Sequence, residues 1–165
     1  MAKAWIILSG RTRDANMYHL AGQLTGQGID LKEVRVVSDD PEAIVNATRA
    51  LSAAYTHVFT SGGIGPTHDD ITADCIAAAF GVSIGVRADA RAILQAHYDA
   101  NGQELNDARL RMARIPDGAC LIDNPVSKAP GFTLQNVHVM AGVPSIFQAM
   151  LASILPSLTV GKPRS

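Results

Sequence analysis

Apolar positions along this chain switch between an unbroken or alternating pattern and a helical one, and the switches mark out alternating strands and helices. Ala4 to Leu8 is an unbroken apolar run that predicts a short buried strand. Met17, Leu20, Ala21 and Leu24 share one helical face, and Gly26 and Gly28 end that helix. Leu31 to Val37 predicts a second strand. Asp39-Asp40-Pro41 is then an acidic cap with Pro at the first helical position, and Ile44, Thr48 and Leu51 carry the helix on. His57 to Thr60 predicts a third strand, and an Ala-rich helix runs from about Thr72 until Gly81 ends it. Asp89 to Tyr98 predicts another helix, stopped around Gly102. Asn106 caps a short helix through Arg114 that Pro116 ends. Cys120 to Ile122 reads as extended. Phe132 to Leu134 and Val137 to Ala141 flank Gln135-Asn136 as a hairpin, and Pro144 opens a last helix with Phe147, Met150, Leu151 and Ile154 on its apolar side.

Strands that alternate with helices through the first half predict right-handed βαβ units and a parallel sheet covered on both faces. The late hairpin adds an antiparallel edge. The expected fold class is therefore α/β: a three-layer α/β/α sandwich with a mostly parallel sheet. The 165 residues suit one domain, placed at 1–160, with 161–165 as a frayed tail.

Composition narrows the function. Apolar residues make up 47% and charged residues 18%, which excludes a disordered chain. A net charge of −1 gives no reason to expect a nucleic-acid surface or a polybasic membrane patch. No apolar run approaches the roughly 18 residues of a membrane helix. Cys75 and Cys120 form no CxxC pair, so neither a disulfide framework nor a structural zinc site is expected, and the expected compartment is the reducing cytoplasm.

The chemistry should lie beyond the carboxyl ends of the strands. Ser61-Gly62-Gly63-Ile64-Gly65-Pro66-Thr67 sits at that address, between a strand and a helix. Its glycines let backbone N–H groups approach a ligand, and the next helix adds a positive dipole end, so the loop reads as a phosphate site. A plain strand-to-helix turn is the alternative. The loop matches neither GxxxxGK[ST] nor GxGxxG. Asp69 and Asp70 close it, and Asp39 follows the preceding strand. Carboxylates beside a phosphate make sense when Mg²⁺ bridges the two; simple helix capping by Asp39 or Asp70 is the competing reading.

The block Thr60-Ser61-Gly62-Gly63-Ile64-Gly65-Pro66-Thr67-His68-Asp69-Asp70-Ile71-Thr72 resembles the signature of the molybdopterin-binding domain family, in the branch found at the N-terminus of competence/damage-inducible protein CinA. Asn16 with Leu20-Ala21 resembles the TNxxxLA helix. Asn124 to Phe132 resembles the NPxxxAPGF loop, and Gly142-Val143-Pro144 the end of PGVP, with Ala141 in place of its first Pro. The resemblance covers roughly residues 8 to 158. It implies a fold that binds phosphorylated pterins or related nucleotides. Some relatives adenylylate molybdopterin with Mg²⁺ and ATP; CinA-type domains are associated with metal-dependent cleavage of ADP-ribose, and a related domain with cleavage of FAD. On that carry-over Asp39 and Asp70 are the catalytic acids, and Asp39, Asp69 and Asp70 hold Mg²⁺, Mn²⁺ or Co²⁺. Asn16, Ser61, Gly62, Gly63, Gly65, Thr67, Asn124, Ser127 and Lys128 bind substrate. Family members commonly form dimers, trimers or hexamers, so a homo-oligomer (dimer or trimer) is expected.

Two departures matter. Ala4-Trp5-Ile6 stand where CinA-type domains carry a Gly and an acidic residue, which predicts a shortened first strand, an open sheet edge and one missing acid. The amidase domain of full CinA has no counterpart in this sequence, so amidase activity is not expected. Three readings follow: a metal-dependent pyrophosphatase or transferase, a non-catalytic molybdopterin-binding module, and an oligomeric scaffold with a vestigial pocket. Among single residues, His68 is a candidate base or metal ligand or a solvent-facing side chain. His57 and His138 read as structural or surface residues, Cys75 as core, Arg11 and Arg13 as anion contacts or solvated. Arg109, Arg111 and Arg114 read as one basic helix face.

Overall fold

The computed structural model of the chain describes residues 3–9 and 14–158. The expected tail and the early-loop residues Arg11 and Arg13 lie outside them. Among the described residues, eight strands and six helices follow in the order β1 (Lys3–Ser9), α1 (Asp14–Gly26), β2 (Asp30–Val37), α2 (Pro41–Ala54), β3 (His57–Ser61), α3 (Thr72–Phe80), β4 (Ile84–Val86), α4 (Ala88–Ala100), α5 (Asp107–Leu110), β5 (Arg114–Pro116), β6 (Cys120–Ile122), β7 (Gly131–Leu134), β8 (Val137–Met140) and α6 (Pro144–Ile154). The main sheet has the order β2-β1-β3-β8-β7-β6. β2, β1, β3 and β8 run parallel, and β7 and β6 complete it as antiparallel neighbours.

Strand alternation explains the layers. Phe59 on β3 and Met140 on β8 face a core built with Leu20 and Leu24 of α1 and Phe147, Met150 and Leu151 of α6. Val58, Val137 and Val139 point the other way, into a core with Leu51 of α2, Ile76 of α3 and Leu94 of α4. Helices therefore cover both faces, which is the three-layer α/β/α sandwich with an antiparallel edge.

Three expectations are corrected. The first strand is not shortened: β1 spans seven residues and pairs with both β2 and β3, so it leaves no open edge. The predicted short helix to Arg114 stops early. α5 has four residues, a 3₁₀ turn covers Arg111–Ala113, and Arg114–Pro116 is strand β5, paired antiparallel with β4 in a separate two-stranded sheet. The three arginines do not share a face. Arg109 packs over the Tyr98 ring at 4.6 Å, Arg111 donates to the Thr67 carbonyl at 3.3 Å, and Arg114 pairs with Asp74 at 2.6 Å.

Candidate active site

The parallel strands β3 and β8 end side by side, and the chain leaving each one forms a wall of a cleft of about 550 Å³. Gly62 to Thr67, Asp69 and Asp70 form one wall, Ala141 to Pro144 the other. Asp39 enters from the end of β2, and Asn124, Ser127 and Ala129 from the β6–β7 connection. The apolar contributions are Ile64, Met112, Val143 and Ile146. The described lining holds three carboxylates and no Lys, Arg or His.

The glycine loop keeps its shape through its own hydrogen bonds. Gly62 N–H donates to Met140 O at 3.0 Å, extending the β3–β8 ladder by one residue. Gly63 has φ +75, and a β-carbon there would collide with the Thr72 hydroxyl, so only glycine fits the turn. Thr72 N–H closes it on Gly63 O at 3.0 Å. Asp70 ends the loop in a reciprocal clasp. Its N–H donates to Thr67 O at 3.1 Å, while its Oδ2 accepts from Thr67 N–H at 3.0 Å and Thr67 Oγ1 at 2.9 Å. The N–H groups of Gly63, Ile64 and Gly65 are left without a protein acceptor among the described residues. Three such donors in sequence are the material of an anion nest.

The adjacent acids divide their work. Asp40 is the N-cap of α2 and accepts from Ala43 N–H at 2.9 Å. Asp39 makes no such bond among the described residues, is exposed, and lines the cleft. Asp70 is not the cap of α3 either. That place belongs to Ile71, which caps with no side chain. The first turn of α3 follows directly on Asp70 and Ile71 but is not itself part of the lining. Ala73 and Asp74 instead line a small cavity behind the loop. Asp69 lines the cleft and pairs loosely with the exposed His68 at 3.4 Å.

The remaining substrate-binding candidates separate. Thr67, Gly62, Gly63, Gly65, Asn124 and Ser127 line the cleft. Asn124 is buried and uses its side chain to hold its own loop: Nδ2 donates to Ser127 Oγ and Ala129 O, and Oδ1 accepts from the N–H groups of Val126 and Ser127. Asn16 and Ser61 lie beneath the cleft. Asn16 Nδ2 donates to Ser61 Oγ at 2.8 Å and to Gly142 O at 2.9 Å, tying α1 to both walls. Lys128 is exposed, has φ +68, and is not part of the lining. Among the described residues no three His, Cys, Asp or Glu side chains gather as a metal cluster, so Asp39, Asp69 and Asp70 share the cleft without forming such a centre.

Two buried groups fall outside the cleft. Burial, then Asp74 and Asp40, pushes the Cys75 thiol up to about 11, so it stays protonated in the core at neutral pH. His57 Nδ1 lies 3.1 Å from His138 Nε2, and His138 Nδ1 lies 2.8 Å from Thr133 Oγ1. Sequence reading placed these histidines on separate strands and missed the pairing, which only the β3–β8 register brings about.

Comparison with known proteins places the architecture. A family model described as "Probable molybdopterin binding domain" matches residues 6–160. The chain belongs to this family. A CinA-like protein of Geobacter sp. (strain M21) is 36% identical over 157 residues, covering 92% of this chain and 38% of that protein. A protein of Caldivirga maquilingensis is 35% identical over 158 residues, covering 93% of this chain. The chain spans 62% of that relative's length. The crystal structure of CinA, described as of unknown function, from Thermoplasma acidophilum superposes with a TM-score of 0.85 at 32% identity. That match covers 94% of this chain and 97% of the other. The likeness to CinA's N-terminal domain expected from the glycine block is thus met. No described helix is long and apolar enough to cross a membrane.

Proposed function

We propose that the cleft binds a phosphorylated pterin or adenine dinucleotide together with a divalent metal and cleaves a phosphoanhydride, as a pyrophosphatase of ADP-ribose or FAD. The observation that carries this reading is the lining itself: loop residues whose N–H groups have no protein acceptor among the described residues share the cleft with three carboxylates, and no cationic side chain is among the described lining. A polyphosphate alone would be repelled by Asp39, Asp69 and Asp70. A metal reverses that sign. The donor set fits Mg²⁺, which takes one or two carboxylates and leaves its other positions to water and phosphate oxygens. Asp70 engages only Oδ2 with Thr67, so Oδ1 is available to it, and exposed Asp39 is uncommitted. When bound, the metal supplies Lewis-acid polarisation of a phosphoryl oxygen.

The chain's own residues do the rest. Gly63, Ile64 and Gly65 N–H groups hold a phosphate and meet charge that grows on its oxygens. Ile64, Met112, Val143 and Ile146 offer apolar surface to a ring. No side chain in the lining is an evident nucleophile, so water is the attacker in this reading. The test is metal-dependent release of AMP from ADP-ribose or FAD under Mg²⁺, Mn²⁺ or Co²⁺. Asp70→Asn and Asp39→Asn should each lose on the order of 10²-fold in turnover, the scale of removing one group that stabilises transition-state charge. Unchanged turnover in Asp70→Asn would remove its metal role.

Ala4-Trp5-Ile6, standing where CinA-type domains carry a Gly and an acidic residue, favour one second reading, a molybdopterin-binding module without catalysis. Saturable pterin binding with no product under any of the three metals supports that reading instead. The cytoplasm as the site of action, and a dimer or trimer as the working state, belong to the same proposal; size-exclusion chromatography with light scattering decides the latter.

A further inference from the structure

Behind the glycine loop lies a second cavity of about 20 Å³, room for one water. Ile64, Gly65, Asp70 and Met112 line both this cavity and the cleft, so the two adjoin across the loop. Asp74, Arg111 and Arg114 complete the polar part of its wall. Arg114 Nη2 donates to Asp74 Oδ1 at 2.6 Å, but Arg114 Nε is buried and has no acceptor among the described residues. A buried N–H of a guanidinium without an acceptor is costly, so the position calls for one. On the other side, Asp70 gives Oδ2 to Thr67 and leaves Oδ1 free. Arg111 pins the same turn from the same side, with Nε donating to Thr67 O.

We infer that a water in this cavity accepts from Arg114 Nε and donates to Asp70 Oδ1, making Arg114 a positioning residue for the carboxylate that Asp70 presents to the cleft. The water has the two to four polar partners such a site needs. Each carboxylate oxygen has two lone pairs, so Oδ1 can hold the water from behind and keep a position for a metal in front. The strand pair β4–β5, far from the cleft in sequence, thereby sets the aim of one of its acids. The water rests on geometry alone; its value for metal binding rests on the function proposed above.

The test is a pair of crystal structures, of the wild-type chain and of Arg114→Lys, at a resolution that shows ordered water. The substitution keeps a cation beside Asp74 and removes Nε. The wild type should show one water within hydrogen-bond distance of both Arg114 Nε and Asp70 Oδ1. Arg114→Lys should show the Asp70 carboxylate turned, with Mn²⁺ affinity, read by electron paramagnetic resonance, weakened about tenfold, the scale of losing an outer-shell partner. An empty cavity in the wild type, or a water touching neither group, overturns the inference. So does an Arg114→Lys protein with unmoved Asp70 and unchanged Mn²⁺ affinity. A wild type that binds no Mn²⁺ counts against the proposed function, and the water density then decides the inference by itself.

Discussion

A β-carbon built on Gly65 would lie 2.8 Å from Asp70 Oδ2, the oxygen that accepts both hydrogen bonds from Thr67. The glycine is therefore there to admit a carboxylate, not to supply a turn. Gly65→Ala should displace that carboxylate and loosen the clasp with Thr67. One or two exposed hydrogen bonds are at stake, so the stability loss should be small, about 1 kcal/mol. The effect on metal-dependent turnover should be much larger. Thermal melting and an AMP-release assay on one preparation separate the two; a variant with full turnover would mean that Asp70 does not act from its observed position.

Gly63 should behave differently. Its positive φ and the collision of any β-carbon with Thr72 concern the fold of the loop, not the aim of an acid. Gly63→Ala combines a left-handed backbone penalty with overpacking, together about 2–4 kcal/mol. Urea unfolding should show that loss with or without ligand. A variant as stable as the wild type would exclude the close approach to Thr72.

Asp39 and Asp40 are neighbours with separable jobs. Asp40→Ala removes the α2 cap and should cost about 1 kcal/mol of stability, with little change in turnover. Asp39→Asn should leave stability within about 0.5 kcal/mol, as for an exposed residue with no bond to lose, and should raise the metal concentration needed for activity. Reversal of this pattern would assign the cleft to the wrong acid.

Much of this was legible in the sequence because the signals were local. Apolar periodicity located both helical layers, and the glycine block with its trailing acids announced the loop after β3. What sequence reading lost was non-local. A three-residue strand has no period, so Arg114–Pro116 passed for the end of a helix until its pairing with Ile84–Val86, roughly thirty residues away, is seen. The same pairing carries Arg111 and Arg114 to the back of the glycine loop, which no spacing within the helix pattern foretells. Ala4-Trp5-Ile6 misled in another way. A lost acidic motif suggested a lost strand, but strand formation needs only backbone pairing, and β1 has partners on both sides. Whether Asp39 or Asp40 caps α2 was open because either precedes Pro41.

Asn124 holds the rim of the cleft by itself. Its buried amide makes four hydrogen bonds within residues 124–129, and that loop includes Lys128 in a left-handed conformation. Asn124→Ala leaves several of those polar groups unpaired and should destabilise by about 2–3 kcal/mol. Ligand binding should weaken too, because Ser127 and Ala129 line the cleft. Hydrogen exchange should show faster exchange at Val126 and Ser127 in the variant; unchanged protection there would refute the role given to the amide.

His138 makes stability depend on pH in a direction fixed by burial. Burial first, and the neighbouring His57 second, lower His138 to about 3, against an unfolded value near 6.5. The folded protein therefore refuses a proton that the unfolded chain accepts below about pH 6.5. The stabilising contribution is complete above that value and is lost as pH falls toward about 3, at up to ~1.4 kcal/mol per pH unit for one site. Phe59, whose ring centroid lies 5.0 Å from that of His138, adds no charge that would favour the imidazolium. Thr133 can donate to neutral His138 or accept from it, so its hydroxyl does not force protonation. Urea midpoints measured from pH 7.5 down to pH 5 should drop by the equivalent of about 2 kcal/mol below pH 6.5. His138→Gln should flatten that fall over the same range, where most carboxylates remain ionised. An equal slope in the variant would place the titrating group elsewhere in the fold.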